Sequence, residues 1–267
     1  MNLKRILTGV IGLPIVSAIL IWGNKYIIDV LFAVIAEISI YEYFNAIGKK
    51  YKPVKYLGYI LAGIIPFIHV IPAEILIKIT IMVIPTSIIV LFIQIIVTSM
   101  KTEPKDIFAT FFGICYVIGF ILFLPVLYGT PNGKFLIWYL LISAWGTDTF
   151  AYAIGRRFGK HKLTVISPKK SIEGSIGGTI GAIIIALIYT YIIQKYVDLG
   201  LSYIMVGTAT FILSILSQIG DLSASSIKRE MDVKDYGNLL PGHGGMLDRI
   251  DSLIFIAPFA YFLLIML

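Results

Sequence analysis

Residues 220–251, GDLSASSIKREMDVKDYGNLLPGHGGMLDRID, hold a dense set of charged and hydroxyl side chains between two apolar runs. Within this stretch, Asp221, Ser225 and Lys228 are spaced at i, i+4 and i+7. If the preceding helix continues past Gly220, this spacing places the three side chains on one helix face. A carboxylate, a hydroxyl and an ammonium group on one face can bind a metal ion or a phosphate. The stretch is therefore a candidate active site.

Two further carboxylates, Asp248 and Asp251, stand three residues apart where a second helix is expected to begin. Carboxylates that reach one depth from two helices suit Mg²⁺, which takes one or two carboxylates together with substrate phosphates. We therefore predict Asp221, Asp248 and Asp251 as metal ligands. A zinc site is not expected, because the chain has one cysteine and its three histidines are scattered.

The glycine run GHGG (242–245) lies directly before this second helix. Glycines allow backbone amides to approach an anion closely, and a helix N-terminus adds a favourable dipole. The alternative is a simple turn between a polar loop and a membrane helix. The charged pairs on both sides of the run, KD and DR, favour a phosphate site.

A second polar segment, residues 155–177, contains the motif SPKKSIEG (167–174) and many cations. Such a set can bind a triphosphate or an anionic lipid head group. The cations are Arg156, Arg157, Lys160, Lys162, Lys169 and Lys170. Anchoring of the neighbouring helix explains the arginines, whereas Lys169 and Lys170 lie farther from it and are assigned to the site. Glycine pairs at GxxxG spacing after this segment indicate close helix packing.

The rest of the chain is apolar enough to place these segments on membrane helices. Of the 267 residues, 58% are hydrophobic and 14% charged, and the mean hydropathy is +0.92. Globular proteins have about 25% charged residues, so we predict a polytopic, all-α integral membrane protein. Nine spans near the length of a bilayer-crossing helix are expected. They cover roughly 6–22, 26–47, 54–72, 75–99, 107–129, 135–154, 178–196, 202–222 and 250–267.

The distribution of positive charge predicts the orientation. With the N-terminus in the cytoplasm and nine spans, eighteen of the 22 lysines and arginines fall on the cytoplasmic side. The four on the other side are Lys25, Lys78, Lys134 and Lys195. Such a bias is typical of cytoplasmic loops, and it places both polar segments there. It also explains the net charge of +7 without a nucleic acid partner.

The polar stretch resembles the signature of the phosphatidate cytidylyltransferases, also called CDP-diacylglycerol synthases. In that family a Ser, Lys-Arg, Lys-Asp, His-Gly-Gly and Asp-Arg-x-Asp follow one another at fixed spacing. The matching residues here are Ser226, Lys228, Arg229, Lys234, Asp235, Gly237, Pro241, His243, Gly244, Gly245, Asp248, Arg249 and Asp251. The SPKKSIEG motif is also similar, with Ser171 where the family has Thr.

The resemblance implies synthesis of CDP-diacylglycerol and pyrophosphate from CTP and phosphatidic acid, with Mg²⁺ as the cofactor. Whether a second metal ion takes part is left open. It also implies a homodimer that contacts membrane lipids. We expect the protein to lie in a bacterial plasma membrane, with its active site facing the cytoplasm. We expect one membrane domain, 1–267. Residues 1–130 would form scaffold and dimer contacts, and 131–267 the catalytic helices and both cytoplasmic loops.

The expected site falls into two groups of residues. The catalytic group is Asp221, Lys228, Arg229, Lys234, Asp235, His243, Asp248, Arg249 and Asp251. The substrate-binding group is Asp148, Ser167, Lys169, Lys170, Ser225, Ser226, Gly244 and Gly245. The cations would contact phosphates and His243 would orient a phosphate oxygen.

Two alternatives remain open at this level. A CTP-dependent kinase acting on a polyprenol-type alcohol would use similar groups, although an alcohol nucleophile benefits from a general base. An ion-coupled transporter would use carboxylates within the membrane, but no internal repeat is visible. The sequence assigns no role to Glu37 and Glu42 in the second span.

Overall fold

A computed structural model describes residues 3–240, 242 and 244–266. The protein is 75% helical, and the described residues form no strand. This confirms the all-α class. The chain divides into two compact units. Unit 1 comprises residues 1–129 and 228–249, and unit 2 comprises residues 130–227 and 250–267.

The helices of the first part of the chain alternate with short breaks at Gly and Pro. They are α1 (Leu3–Trp22), α2 (Lys25–Ile47), α3 (Lys55–Ala62), a 3₁₀ turn (Ile65–Phe67), α4 (Ala73–Val97), α5 (Pro104–Gly113), a π-helical stretch (Ile114–Gly119) and α6 (Phe123–Tyr128). The side chain of Asn24 begins α2 by accepting a hydrogen bond from the Ile27 N–H at 3.0 Å. Helix α5 begins with a reciprocal capping box between Glu103 and Asp106.

The remaining helices lie in the second part of the chain. They are α7 (Gly133–Leu141), a π-helical stretch (Ile142–Gly146), α8 (Thr147–Phe158), α9 (Ile172–Ile193), α10 (Tyr203–Glu230), α11 (Leu247–Tyr261) and a final π-helical stretch (Phe262–Met266). Helix α10 continues ten residues beyond Gly220, which is the condition under which Asp221, Ser225 and Lys228 lie on one helix face. Helix α11 begins one residue before Asp248.

Helix α2 forms the centre of unit 1. Its buried positions recur every three or four residues, which marks one continuous apolar face. Ile28, Phe32, Ala36, Ile40 and Phe44 follow that face and are almost fully buried. The face contacts α3, α5 and α6. Because α2 is fixed on several sides, any polar group on it is held in a defined place.

Four described helices are long and apolar enough to cross a bilayer. They cover Glu74–Val97, Pro104–Tyr128, Ile172–Ile193 and Tyr203–Glu230. Together with the composition, they make this a membrane protein. Every one of the nine predicted spans contains helix, but the number that cross the membrane and the side of the N-terminus stay predictions.

In unit 2, α8 and α9 pack with almost no side chains between them. A Cβ added at Gly174 would lie 2.7 Å from the carbonyl oxygen of Ala151. A Cβ added at Gly178 would lie 2.7 Å from that of Thr147. The GxxxG spacing therefore serves backbone packing, as predicted.

Gly178→Leu is expected to separate α8 from α9 and to destabilise the protein, because a backbone carbonyl cannot yield to a larger side chain. The measurement is the unfolding temperature in detergent. Gly207→Leu is the control, since a Cβ at Gly207 meets nothing within 4 Å. Equal unfolding temperatures for both variants would contradict the packing interpretation.

Candidate active site

In unit 1, the polar segment 228–249 is organised around the Asp248 carboxylate. Lys228 Nζ donates to Asp248 Oδ1 at 2.7 Å, and the Asp248 side chain is 1% exposed. The N–H groups of Tyr236 and Gly245 donate to Asp248 Oδ2 at 2.8 and 3.0 Å. Lys228 Nζ also lies 5.3 Å from the centroid of the Tyr236 ring. One buried carboxylate thus joins the end of α10, the middle of the loop and the start of α11.

A second carboxylate, Glu42 of α2, also holds this loop. Its two oxygens accept hydrogen bonds from the N–H groups of Met246 and Leu247, at 3.0 and 2.9 Å. These amides open α11, where the helix leaves N–H groups without intrahelical partners. Glu42 is 3% exposed and lies just over 200 residues before its partners in sequence. The sequence assigns it no role, although an ionisable residue within a predicted membrane span is itself an indication of a functional or structural site.

Three glycines of the loop are required by these carboxylates. A Cβ at Gly237 or at Gly245 would lie 2.3 or 2.4 Å from a Glu42 oxygen, so no larger residue fits without displacing that carboxylate. Gly244 has a φ of +86°, which favours glycine, and an added Cβ would meet Asp248 Oδ2 at 3.2 Å and Asp235 Cγ at 3.3 Å. The glycine run therefore allows acidic side chains and backbone to approach closely.

The loop borders an open cavity of about 490 Å³. Its walls combine two cations, one carboxylate and exposed glycine backbone, and the lining residues are Lys234, Asp235, Gly237, Asn238, Leu240, Gly242, Gly244 and Arg249. The side chains of Lys234 and Arg249 are exposed. Cations beside glycine backbone form an arrangement that can bind phosphate groups.

In unit 2, Lys170 forms an ion pair with Asp221. Both side chains are about a quarter exposed. Asp221 and Lys228, which stand at i and i+7 on α10, therefore have different partners. Asp221 pairs with Lys170 of the 155–177 segment, and Lys228 pairs with Asp248.

A cavity of about 370 Å³ lies beside this pair in unit 2. Its lining includes the predicted residues Asp148, Ser167, Lys169 and Lys170. The walls come from α8, from the loop that follows it, and from the first turn of α9. Asp148 of α8 thus shares one cavity with three predicted substrate-binding residues of the loop that follows α8.

Behind the cavity, buried hydroxyl and amide groups link α8, α9 and α10. Thr147 Oγ1 lies 2.7 Å from Ser214 Oγ, which donates to Thr179 Oγ1 at 2.9 Å. Gln218 Nε2 donates to the same Thr179 oxygen at 3.1 Å, and Ser175 Oγ donates to Gln218 Oε1 at 2.5 Å. A buried polar network with its members paired fixes helix positions more tightly than apolar packing alone.

The other predicted residues fall elsewhere within their units. Ser226 donates to the carbonyl of Ser223 at 2.8 Å, and Arg229 is exposed at the end of α10. Asp251 is buried and accepts a hydrogen bond from the Ser252 N–H at 2.7 Å. Ser225, which is half-buried, lines neither cavity. His243 lies outside the described residues.

The carboxylates suit Mg²⁺ by their donor type. Among the described residues, no three Asp, Glu, His or Cys side chains form a cluster that could hold a metal by themselves. Mg²⁺ does not need such a cluster, because it takes one or two carboxylates and completes its shell with water and substrate phosphates. Asp248 accepts hydrogen bonds from Lys228, Tyr236 and Gly245, and a carboxylate oxygen is the ligand type that Mg²⁺ prefers. The residues present therefore fit a metal shared with a phosphorylated substrate.

Comparison with known proteins gives matches over the whole chain. The model of the cytidylyltransferase family matches residues 3–267. The phosphatidate cytidylyltransferase of Staphylococcus aureus (strain COL) is 35% identical over 272 residues, which cover 98% of each chain. The phosphatidate cytidylyltransferase of Bacillus subtilis (strain 168) is 47% identical over 133 residues. That alignment spans about half of each protein, 49% of this chain and 48% of the relative.

Proposed function

The chain belongs to the cytidylyltransferase family, and we propose that it makes CDP-diacylglycerol and pyrophosphate from CTP and phosphatidic acid. It is an enzyme of phospholipid biosynthesis in a membrane. The observation that best supports this activity is the loop 228–249, which joins cations, glycine backbone and a buried carboxylate at one cavity. The full-length similarity to phosphatidate cytidylyltransferases favours neither a lipid kinase nor a transporter.

In this reaction a phosphate oxygen of phosphatidic acid attacks the α-phosphorus of CTP. The bond from that phosphorus to the oxygen bridging to the β-phosphate breaks, and pyrophosphate leaves with the bonding electrons. The attacking group is already an anion, so no strong general base is required. The difficulty lies in bringing two anions together and stabilising the leaving group, which is a task for cations and metal ions.

The cations of the two cavities suit these tasks. We assign Lys234 and Arg249 in unit 1 and Lys169 and Lys170 in unit 2 to phosphate contacts. Gly244, which is half-buried and lines the unit 1 cavity, has no side chain to block the approach of a phosphate oxygen. Lys228 differs from these residues, because its ammonium group is committed to Asp248 and positions the loop.

Asp221 and Asp248 would hold the Mg²⁺ ion, and Asp251 is the third candidate ligand. The ion would supply positive charge to the CTP phosphates and reduce the repulsion between the two substrates. Asp221 would orient Lys170, and Asp248 would keep the glycine backbone in place.

The decisive experiment uses CTP labelled at either of two phosphates. Purified protein with phosphatidic acid should transfer the α-³²P label to lipid and release the γ-³²P label as pyrophosphate. A CTP-dependent kinase would transfer the γ-label to lipid instead. Failure to transfer either label, with a folded protein, would overturn the proposed function.

We further propose nine membrane spans, a cytoplasmic N-terminus and a cytoplasmic active site in a bacterial plasma membrane, with a homodimer as the assembled form. His161 and Asp198 are exposed residues on either side of α9. In a Cys115→Ala background, His161→Cys and Asp198→Cys should react with an impermeant reagent from opposite faces of sealed vesicles. Reaction of both from the same face would contradict the orientation.

Lys170→Gln is expected to lower turnover strongly in a protein that still inserts and folds, because Asp221 loses its counter-charge and a phosphate loses a contact. The measurement is cytidylyl transfer beside the unfolding temperature. Lys195→Gln is the control, since Lys195 lies over the Tyr191 ring at the far end of α9. Near-normal turnover of well-folded Lys170→Gln would remove this lysine from the site.

A further inference from the structure

The segment that links α8 to α9 folds into a closed loop with an unusual tip. The Leu163 N–H donates to the Lys170 carbonyl at 2.9 Å, and the Ile172 N–H donates to the His161 carbonyl at 3.0 Å. Glu173 strengthens the base, since it accepts from the Lys160 N–H at 3.1 Å and lies 2.6 Å from His161 Nδ1. We call residues 160–171 the closed loop.

The tip of the closed loop exposes apolar side chains to its surroundings. Val165 is 93% exposed, the highest fraction of any large hydrophobic side chain that the structure describes. Ile166 beside it is 42% exposed. Exposed apolar residues on the membrane helices can face lipid chains, but Val165 lies in the middle of a polar segment. An ordered loop that holds apolar side chains outward among lysines presents a surface on which an apolar partner could dock.

Charge complementarity identifies that partner. Between Asp148 and Glu173 the sequence contains no acidic residue and six cations, and the loop itself contributes Lys160, Lys162 and Lys169, all exposed. Apolar side chains surrounded by lysines are the pattern of segments that lie in the interface of a membrane with anionic lipids.

The position of the loop makes the membrane surface reachable. Its base lies at the start of α9, one of the helices long and apolar enough to cross a bilayer. About five residues separate base and tip, so the tip stays within roughly 16 Å of the end of that helix. The head-group layer begins at such a helix end.

We propose that the closed loop is a membrane-docking element whose Val165 tip inserts into the head-group region of an anionic bilayer surface. This goes beyond the proposed catalytic function and does not depend on it. Leu163, Ser167, Lys169 and Lys170 of the same loop line the cavity of unit 2. Docking therefore fixes one cavity wall at the surface where a lipid substrate arrives.

The test places an environment-sensitive fluorophore at the tip. Val165→Cys in a Cys115→Ala background is labelled with NBD and reconstituted into phosphatidylcholine vesicles with or without phosphatidylglycerol. We expect blue-shifted emission, quenching by nitroxide lipids labelled near the head group, and a larger effect with phosphatidylglycerol at low salt. NBD at Asp198→Cys, exposed in another loop of unit 2, should show no dependence on phosphatidylglycerol.

A second variant tests the charge. Lys160→Gln together with Lys162→Gln should remove most of the phosphatidylglycerol dependence at Val165 while the protein stays folded. If iodide in the aqueous phase quenches the label at Val165 as strongly as that at Asp198, the proposal is wrong. A blue shift that rises with the protein-to-lipid ratio, without quenching by nitroxide lipids, would also overturn it and would show that a second copy of the chain covers the tip.

Discussion

Asp248→Asn is expected to reduce turnover by roughly two to three orders of magnitude. The asparagine would keep the shape of the side chain but would turn an N–H₂ group toward Lys228 or toward the N–H groups of Tyr236 and Gly245. Breaking a buried ion pair by removing one partner typically costs about 3–5 kcal/mol of stability. Cytidylyl transfer and the unfolding temperature should both be measured for this variant.

A double variant separates stability from chemistry. Lys228→Met with Asp248→Asn removes both charges, so much of the lost stability should return. Turnover should not return, because the proposed metal ligand and the anchor of the glycine backbone are still absent. Full activity in either variant would exclude Asp248 from the site.

Comparison with Asp221→Asn tests whether the two carboxylates serve one metal. If they do, the losses from Asp221→Asn and Asp248→Asn should be far from additive, and the double variant should be no worse than the poorer single one. The Mg²⁺ concentration for half-maximal activity should rise in each single variant. An unchanged Mg²⁺ requirement with near-wild-type turnover in either one would show that the carboxylates do not share a metal.

Glu42→Gln is the second variant with a large expected effect. Two carboxylate oxygens accept from two different amides, and glutamine offers only one acceptor oxygen while its N–H₂ group would face the other amide. A hydrogen bond to a charged group contributes about 1.5–3 kcal/mol, and residues that position a site typically change activity by about 10–100-fold. We expect a loss of kcat in that range with little change in the KM for phosphatidic acid.

Hydrogen exchange distinguishes a positioning role from general instability. In Glu42→Gln the amides of Met246 and Leu247 should exchange faster, whereas those of α5 should be unchanged. Glu37→Gln, on the same helix and less buried, is the matched control and should alter neither exchange nor turnover. Unchanged protection of the two amides in Glu42→Gln would contradict the assignment.

The polar chemistry was predictable because residue type and spacing determine it locally. The spacing of Asp221 and Lys228 places both on one helix face if the helix continues past Gly220, and α10 does continue to Glu230. The placement of Lys169 and Lys170 at one site follows from their adjacency in sequence, whereas the cavity that they share with Asp148 depends on how α8 and α9 pack. The packing of α8 on α9 could be predicted from the glycine spacing.

What the sequence does not contain is the identity of partners distant along the chain. Spacing on α10 suggested that Asp221 and Lys228 act together, yet each has a different partner, Lys170 and Asp248 respectively. Glu42 is separated from the loop by most of the chain, and its selection requires knowing how α2 packs. Such pairings depend on tertiary packing, which no local pattern specifies.

The hydroxyl group of Ser175 shows how a distant hydrogen bond selects what a cavity can recognise. Ser175 and Gln218 both line the unit 2 cavity, and Ser175 donates its single hydroxyl proton to the Gln218 side chain. A hydroxyl has one proton and two lone pairs, so only lone pairs remain for a bound molecule. The Ser175 hydroxyl can thus accept from a sugar hydroxyl or a base amino group, whereas a phosphate oxygen in this cavity would be bound by Lys169 and Lys170 instead. Replacing Gln218 by leucine would release that proton and reverse the polarity of the contact.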